Sequence, residues 1–320
     1  MGISFSGFPK QAELNDVTLR DGLQNEKIIL RTGDKVRIIH DIIASGVKSL
    51  EITSFVRPDL VPQLADAKEL YESLPKERGF SFRVLVPNLR GYEKAVKVGC
   101  RTIVLFVSAT EEHNRQNLGK SIDATLQDQN LIIEKASKDH VELLLAISMA
   151  FEKNAEKLEY IMSSSIDKGF ENFVLCDTGG RADPALVAKR LELIKNYIDQ
   201  SNTILHFHDT TGCAIANVLV SLTYGFYRFD AAVGGIGGCP FAEGAAGNIS
   251  LEDLAWFLNS LGIRTGIDIE KLVKVNEELS RLLKRPLQDS KVARYLRDVK
   301  EGCLLERKRL PGAGKENQAT

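Results

Sequence analysis

Residues 12–26 read AELNDVTLRDGLQNE, a short apolar and β-branched run that ends in a crowd of charge and amide around one glycine. The first half has the composition of a strand. The second half decides the fold. An open, doubly wound sheet that binds a nucleotide places a glycine-rich phosphate loop after its first strand. Here Arg20 and Asp21 stand side by side instead. A charged pair in that place suits a barrel, where the carboxyl ends of all strands converge on one mouth.

Outward from this stretch the chain alternates short β-rich runs with segments whose apolar residues recur at helical spacing and which often close on glycine. SLEITSF, SFRVLVPN, TIVLFVS, VELLLAISM, NFVLCDT, TILHFHDT and FDAAVGGIG are the further strands; TGDKVRIIHDIIASG and SIDATLQDQNLIIEKASKD are typical of the segments between them. About eight such units in roughly 250 residues, without a composition break, predict one α/β domain folded as a (β/α)8 TIM barrel with additional C-terminal helices. The division expected is a catalytic barrel over residues 1–285 and a helical extension with a polar tail over 286–320.

Polar groups gather where these strands end. Arg20 and Asp21 close the first unit, Glu51 and Thr53 lie in the second, Asn88 ends the third, Asp177 and Thr178 the sixth, and His206, His208 and Asp209 the seventh. Singly, each reads as a strand terminator or ion-pair partner; jointly, they need a fold that faces them toward one another.

Composition narrows the function. A net charge of −1 over 320 residues gives no electrostatic footprint for nucleic acid or an anionic membrane, and no apolar run approaches the roughly 20 residues of a membrane span. The opening MGISFSGFPKQAEL lacks a secretory signal's basic start and apolar centre. The reading is a cytoplasmic protein with small-molecule partners. Its 5 cysteines are odd in number, widely spaced and without a C-x-x-C pair, which argues against a disulfide framework and a structural zinc site.

HFHD, residues 206–209, is the most specific chemical signal. Side chains alternate along a strand, so His206 and His208 point the same way and can share one metal ion, with Phe207 turned to the helical layer. Asp21 supplies an anion. Two neutral imidazoles and one carboxylate leave positions open for substrate oxygens, as a catalytic site requires. GGIGGCPFAEGAAGN, residues 234–248, is too rich in Gly and Ala for a regular element and reads as a flexible loop over the mouth, with Cys239 at its middle and the Asn248 amide oxygen, suited to a hard metal, at its end.

DVTLRDGLQNE, LEITSFVRPDLVPQLAD, HFHDTTGCAIAN and GGIGGCPFAEGAAGNISLEDL together resemble the 3-hydroxy-3-methylglutaryl-CoA lyase family, barrel metallolyases related to isopropylmalate and homocitrate synthases, over approximately residues 12–285. The resemblance implies that Asp21, His206, His208 and Asn248 ligate a divalent cation, Mg2+ or Mn2+. It implies that Arg20 holds the thioester carbonyl and the enolate developing from it, that Cys239 is the mobile-loop acid, and that Glu51 and Asp177 line the site. The substrate implied is an acyl-CoA cleaved to acetyl-CoA and a keto acid, the assembly a homodimer, and the base either Asp21 or His206. Two stretches depart from the family pattern: SMAFEKNAEKLEYI, where a longer loop with a CPYEG-like run is usual, and CDTGGRADP, where the turn is usually neutral. These keep citramalyl-CoA or another branched 3-hydroxyacyl-CoA open as substrate. A condensing synthase and a pyruvate-type aldolase share the barrel and metal set but do not explain Cys239.

Overall fold

The computed structural model describes residues 7–75, 79–238, 247–287 and 290–299. Eight parallel strands close into a barrel in sequence order: β1 Glu13–Asp16, β2 Ser49–Ser54, β3 Ser81–Leu85, β4 Thr102–Ser108, β5 Glu142–Ser148, β6 Asn172–Asp177, β7 Thr203–Phe207 and β8 Arg228–Ala231. Around them run α1 Thr32–Ala44, α2 Ala67–Glu72, α3 Leu89–Lys97, α4 Glu111–Leu118, α5 Ile122–Asp139, α6 Leu158–Ile166, α7 Pro184–Ile194, α8 Ala214–Thr223, α9 Leu251–Ser260 and α10 Ile269–Leu282. This is the (β/α)8 barrel the alternation predicts. None of the described helices is long and apolar enough to cross a membrane.

Strand parity sorts the interior. Ile103, Leu105 and Val107 of β4 join the large core between sheet and helices, while Val104 packs inside the barrel with Leu144, Ala146, Val174 and Ile204, flanked by Leu85, Phe106 and Cys176. Residues paired in register on parallel strands share a face, so the pairs Cys176↔His206, His206↔Asp230 and Asp230↔Asn15 carry that inner face round to β1. The interior is therefore divided. Its β4–β6 side is hydrocarbon, and its β1–β3 and β7–β8 side buries Asn15, Glu51, Arg83, His206 and Asp230.

Three expected strand ends resolve differently. β1 stops at Asp16, because that carboxylate accepts the Thr18 backbone N–H at 3.1 Å and the Thr18 hydroxyl at 2.5 Å and bends the chain. Thr18–Gly22 then forms a single π-helical turn, closed by Gly22 N–H on Val17 O at 3.0 Å, and this turn carries Arg20 and Asp21. Asn88 is the N-cap of α3 and accepts the Gly91 N–H at 3.0 Å. Asp209 lies beyond β7 and accepts the Ala214 N–H at 2.9 Å at the start of α8.

Beyond α10, residues 291–299 are helical and pack on the barrel. Asp253 of α9 takes the N–H groups of Lys291 and Val292 at 2.9 and 2.8 Å, and Arg297 reaches Asn276 Oδ1 at 3.0 Å.

Candidate active site

At the carboxyl ends of the strands, Asp21, His206 and His208 each turn one ligand atom inward, all within 4.8 Å of one another and all three side chains buried. His206 Nε2 and His208 Nε2 are 3.1 Å apart, and Asp21 Oδ2 lies 3.4 Å from His208 Nε2 and 4.0 Å from His206 Nε2. His206 owes its orientation to Asp230, whose Oδ2 stands 3.1 Å from Nδ1. An ionised carboxylate only accepts, so Nδ1 carries the proton and Nε2 presents a bare lone pair to the mouth. Burial opposes ionisation of Asp230, but the Arg83 guanidinium and His206 outweigh it and hold its carboxyl below the usual carboxylate range.

Asp21 is arranged as a permanent anion. Its Oδ1 accepts from Arg20 Nη1 at 2.5 Å and from Gln24 Nε2 at 2.9 Å, and its Oδ2 accepts from Asn248 Nδ2 at 2.8 Å. Burial alone would raise its pKa. The charge of Arg20 and the hydrogen bond of His208 overcome that and hold it far below the usual range.

Asn248 enters on an isolated bridge to His208, after the glycine-rich stretch. Its Nδ2 also donates to Ile236 O at 2.9 Å, which fixes the amide, and its Oδ1 is buried with no hydrogen-bond partner among the described residues. Gly237, at φ +128°, makes this approach possible, since a Cβ there would run into Asn248 Nδ2 and lie 3.1 Å from Asp21 Oδ2. One carboxylate, two imidazoles and an orphaned amide oxygen, converging in a buried mouth, form a donor set that fits a divalent cation.

Arg20 is clamped from behind. Its Nε bonds Glu51 Oε1, and Glu51 Oε2 takes Arg83 Nε at 2.9 Å, while Arg83 Nη2 reaches Asp230 Oδ1 at 2.6 Å. The result is a continuous buried chain, Asp21–Arg20–Glu51–Arg83–Asp230–His206. Every charge in it faces an opposite one, as burial demands.

Of the residues named from sequence, Arg20, Asp21, Glu51, His206, His208 and Asn248 are brought together. Asp177 lies beside them but turns its oxygens to the N–H groups of Arg181 and Ala182, at 3.3 and 3.2 Å, so it holds the loop after β6. Burial raises its carboxyl to about 6 against those bonds. Cys239 lies outside the described residues. Arg83 and Asp230, which the sequence did not single out, complete the chain. A signal for them exists: each is a charge in the interior of a short β-rich run, which a buried sheet tolerates only when paired.

The family described as HMGL-like matches residues 11–279. This chain belongs to the HMGL-like family. Among HMGL-like relatives, the Bacillus subtilis (strain 168) hydroxymethylglutaryl-CoA lyase YngG is 35% identical over 286 residues, covering 88% of this chain and 96% of that protein. The mitochondrial hydroxymethylglutaryl-CoA lyase of Homo sapiens is 34% identical over 296 residues, 91% of each chain. That of Arabidopsis thaliana is 37% identical over 287 residues, and the alignment spans 88% of this chain but 61% of the plant protein. The solved hydroxymethylglutaryl-CoA lyase of Pseudomonas aeruginosa superimposes with a TM-score of 0.86 at 32% identity, covering 91% of this chain and 98% of that one.

Proposed function

We infer that this protein is a divalent-metal-dependent carbon-carbon lyase that cleaves 3-hydroxy-3-methylglutaryl-CoA to acetyl-CoA and acetoacetate. One observation carries the reading: Asp21, His206, His208 and Asn248 converge next to an arginine fixed by buried carboxylates, in a chain whose relatives bear the lyase name. An Acinetobacter baumannii relative is solved in complex with coenzyme A and 3-methylmalate, at 30% identity and a TM-score of 0.85, which supports an acyl-CoA substrate.

Asp21, His206, His208 and Asn248 would hold the cation, Mg2+ or Mn2+ by the hardness of the two oxygen donors. Bound there, it supplies Lewis acidity that lowers the pKa of the substrate's 3-hydroxyl. Removal of that proton falls to His206 or Asp21. The structure favours His206, because Asp230 behind it stabilises an imidazolium, whereas Asp21 is held far below the range of a useful base. Because Nδ1 is protonated toward Asp230, His206 would act as base only with its Nε2 lone pair released from the cation, which Asp21, His208 and Asn248 would then hold. Carbon-carbon cleavage then leaves an acyl-CoA enolate, whose charge Arg20 balances from a position fixed by Glu51. We assign its protonation to Cys239. In support, Gly238 O accepts from Gln24 Nε2 at 3.1 Å and from Asn25 Nδ2, which ties Gly238 to the residues that follow the turn bearing Asp21.

The same reading takes residues 1–285 as the catalytic unit and 286–320 as an extension, in keeping with the bonds by which Ser290, Lys291 and Val292 anchor its helix to Asp253. It takes the protein as cytoplasmic, in keeping with free Cys100, Cys176 and Cys213, and as a homodimer, in keeping with the exposed edge-to-face pair Trp256 and Tyr295. A second substrate, citramalyl-CoA or another branched 3-hydroxyacyl-CoA, is favoured by one feature. Gly179 has no room for a side chain, since a Cβ there would run into Glu152 Oε1 and stand 3.3 Å from Arg181 Nε, so charged groups from both stretches that depart from the family pattern crowd the loop after β6. The test offers metal-loaded protein a panel of 3-hydroxyacyl-CoA thioesters and follows acetyl-CoA by mass spectrometry. Release from the methylglutaryl thioester is expected; turnover confined to another member moves the assignment to that substrate, and no release from any member refutes it.

A further inference from the structure

The opposite end of the barrel holds a cavity of about 430 Å3. Seven of the eight strands give it their first residue, from Glu13 of β1 to Arg228 of β8, so it opens at the amino-terminal mouth, across the sheet from the catalytic groups. Its size lies in the range of small-molecule sites, roughly 300–1,000 Å3, and far above the about 30 Å3 share of one water.

Arg83 forms its roof. Nε and Nη2 of this side chain are spent on Glu51 and Asp230, but Nη1 is buried with no partner among the described residues, and the side chain is only 2% exposed. Arg228, on the wall, repeats the pattern: Nη2 bonds Glu13 at 2.9 Å and Nη1 bonds Ser201 O at 3.0 Å, while Nε is buried and, among the described residues, unpartnered. Two guanidinium groups thus line one cavity with donors unused, and a buried donor without an acceptor is costly.

Glu51 and Asp230 already balance the charge of Arg83 and Glu13 that of Arg228, so what the mouth offers an anion is the unused N–H donors rather than net charge. Glu142, exposed, takes the Thr102 hydroxyl at 3.2 Å; Lys48 adds a third cation at the rim. Ser49, Ser81 and Asn172 supply neutral hydrogen-bonding groups. We propose that this mouth is a binding site for a small anion with several oxygens, of the sulfate or phosphate class, seated between Arg83 and Arg228. The site is independent of the lyase reading, since its residues and its test involve no thioester. It nevertheless touches the catalytic chain, because the guanidinium that would hold the anion also holds Glu51 behind Arg20 and Asp230 behind His206.

The experiment titrates inorganic sulfate into the full-length, metal-loaded protein by calorimetry. Saturable one-to-one binding is expected, weakened at least tenfold in Arg228→Gln and several-fold in Lys48→Glu, with basal turnover unchanged in both, as neither side chain reaches the catalytic mouth. An absence of saturable binding up to tens of millimolar sulfate overturns the proposal. So does binding that survives Arg228→Gln and is displaced by the thioester, which places the anion at the catalytic mouth instead.

Discussion

Replacing Arg20 by glutamine removes one charge from the middle of the buried chain, and the geometry says how the loss divides between rate and stability. Neither carboxylate is stranded. Glu51 keeps Arg83 at 2.9 Å, and Asp21 keeps Gln24 and Asn248 at 2.9 and 2.8 Å. The stability cost should therefore stay near that of one or two charge-assisted hydrogen bonds, about 2–3 kcal/mol, or a fall in Tm of roughly 3–5 °C for a chain of this size. Metal affinity should hold or rise, because a cation is removed from beside Asp21 while the four ligands remain. The rate should fall far more. Losing one neutral donor to a developing oxyanion costs about 10²–10³ in kcat, and a fixed charge is worth at least that, so a thousandfold loss is the expectation. Steady-state acetyl-CoA release, metal content and a melting curve on one preparation give all three numbers. If stability collapses while the surviving folded enzyme turns over at the normal rate, Arg20 is a structural ion pair and the enolate argument is wrong.

His208→Ala should lose bound metal and turnover together, since one imidazole leaves a small ligand set; full occupancy at near-normal rate would remove the metal assignment. Gly237→Ala should do the same from outside the ligand set, because its Cβ meets Asn248 and sits at φ +128°, and an unperturbed metal affinity would show that Asn248 is not a ligand. Cys239→Ser should keep metal and stability while lowering turnover by roughly a hundredfold or more, with solvent deuterium exchange into acetyl-CoA falling in parallel; unchanged turnover and exchange would remove the proton-donor role. Burial lifts the Asp16 carboxyl from the ordinary 3.8 to about 7, against its bonds to Thr18. A raised acid binds its proton more tightly folded than unfolded, so stability should fall as pH rises from about 4 to 7, by roughly 4 kcal/mol at most. Chemical denaturation across that window checks the slope, and Asp16→Asn should flatten it.

The fold and half the site were written in local pattern. Alternation of β-rich and helical runs is a one-dimensional property, set by which residues must face the core, and so the eight strands were countable from sequence. Likewise the same-face placement of His206 and His208 follows from the period of a strand alone, and the parallel register then pairs His206 with Asp230. The π-helical turn was not legible, because it depends on Asp16 capturing Thr18 and on Thr18 in turn accepting the Val233 N–H, at 2.8 Å, from the segment after β8 that barrel closure sets beside β1. Nor was the division of labour among carboxylates. Asp177, Asp230, Glu51 and Asp21 are the same chemistry to a sequence, and each acquires its task from the groups the folded chain sets against it: the N–H groups of its own following loop for Asp177, Arg83 and His206 for Asp230, two arginines for Glu51, and Arg20 with Gln24 and Asn248 for Asp21. Residue type fixes what a group can donate or accept, whereas its role depends on neighbours that can lie far off in sequence, 147 positions for Arg83 and Asp230 and 227 for Asn248 and Asp21, and only the closed sheet brings those within 3 Å.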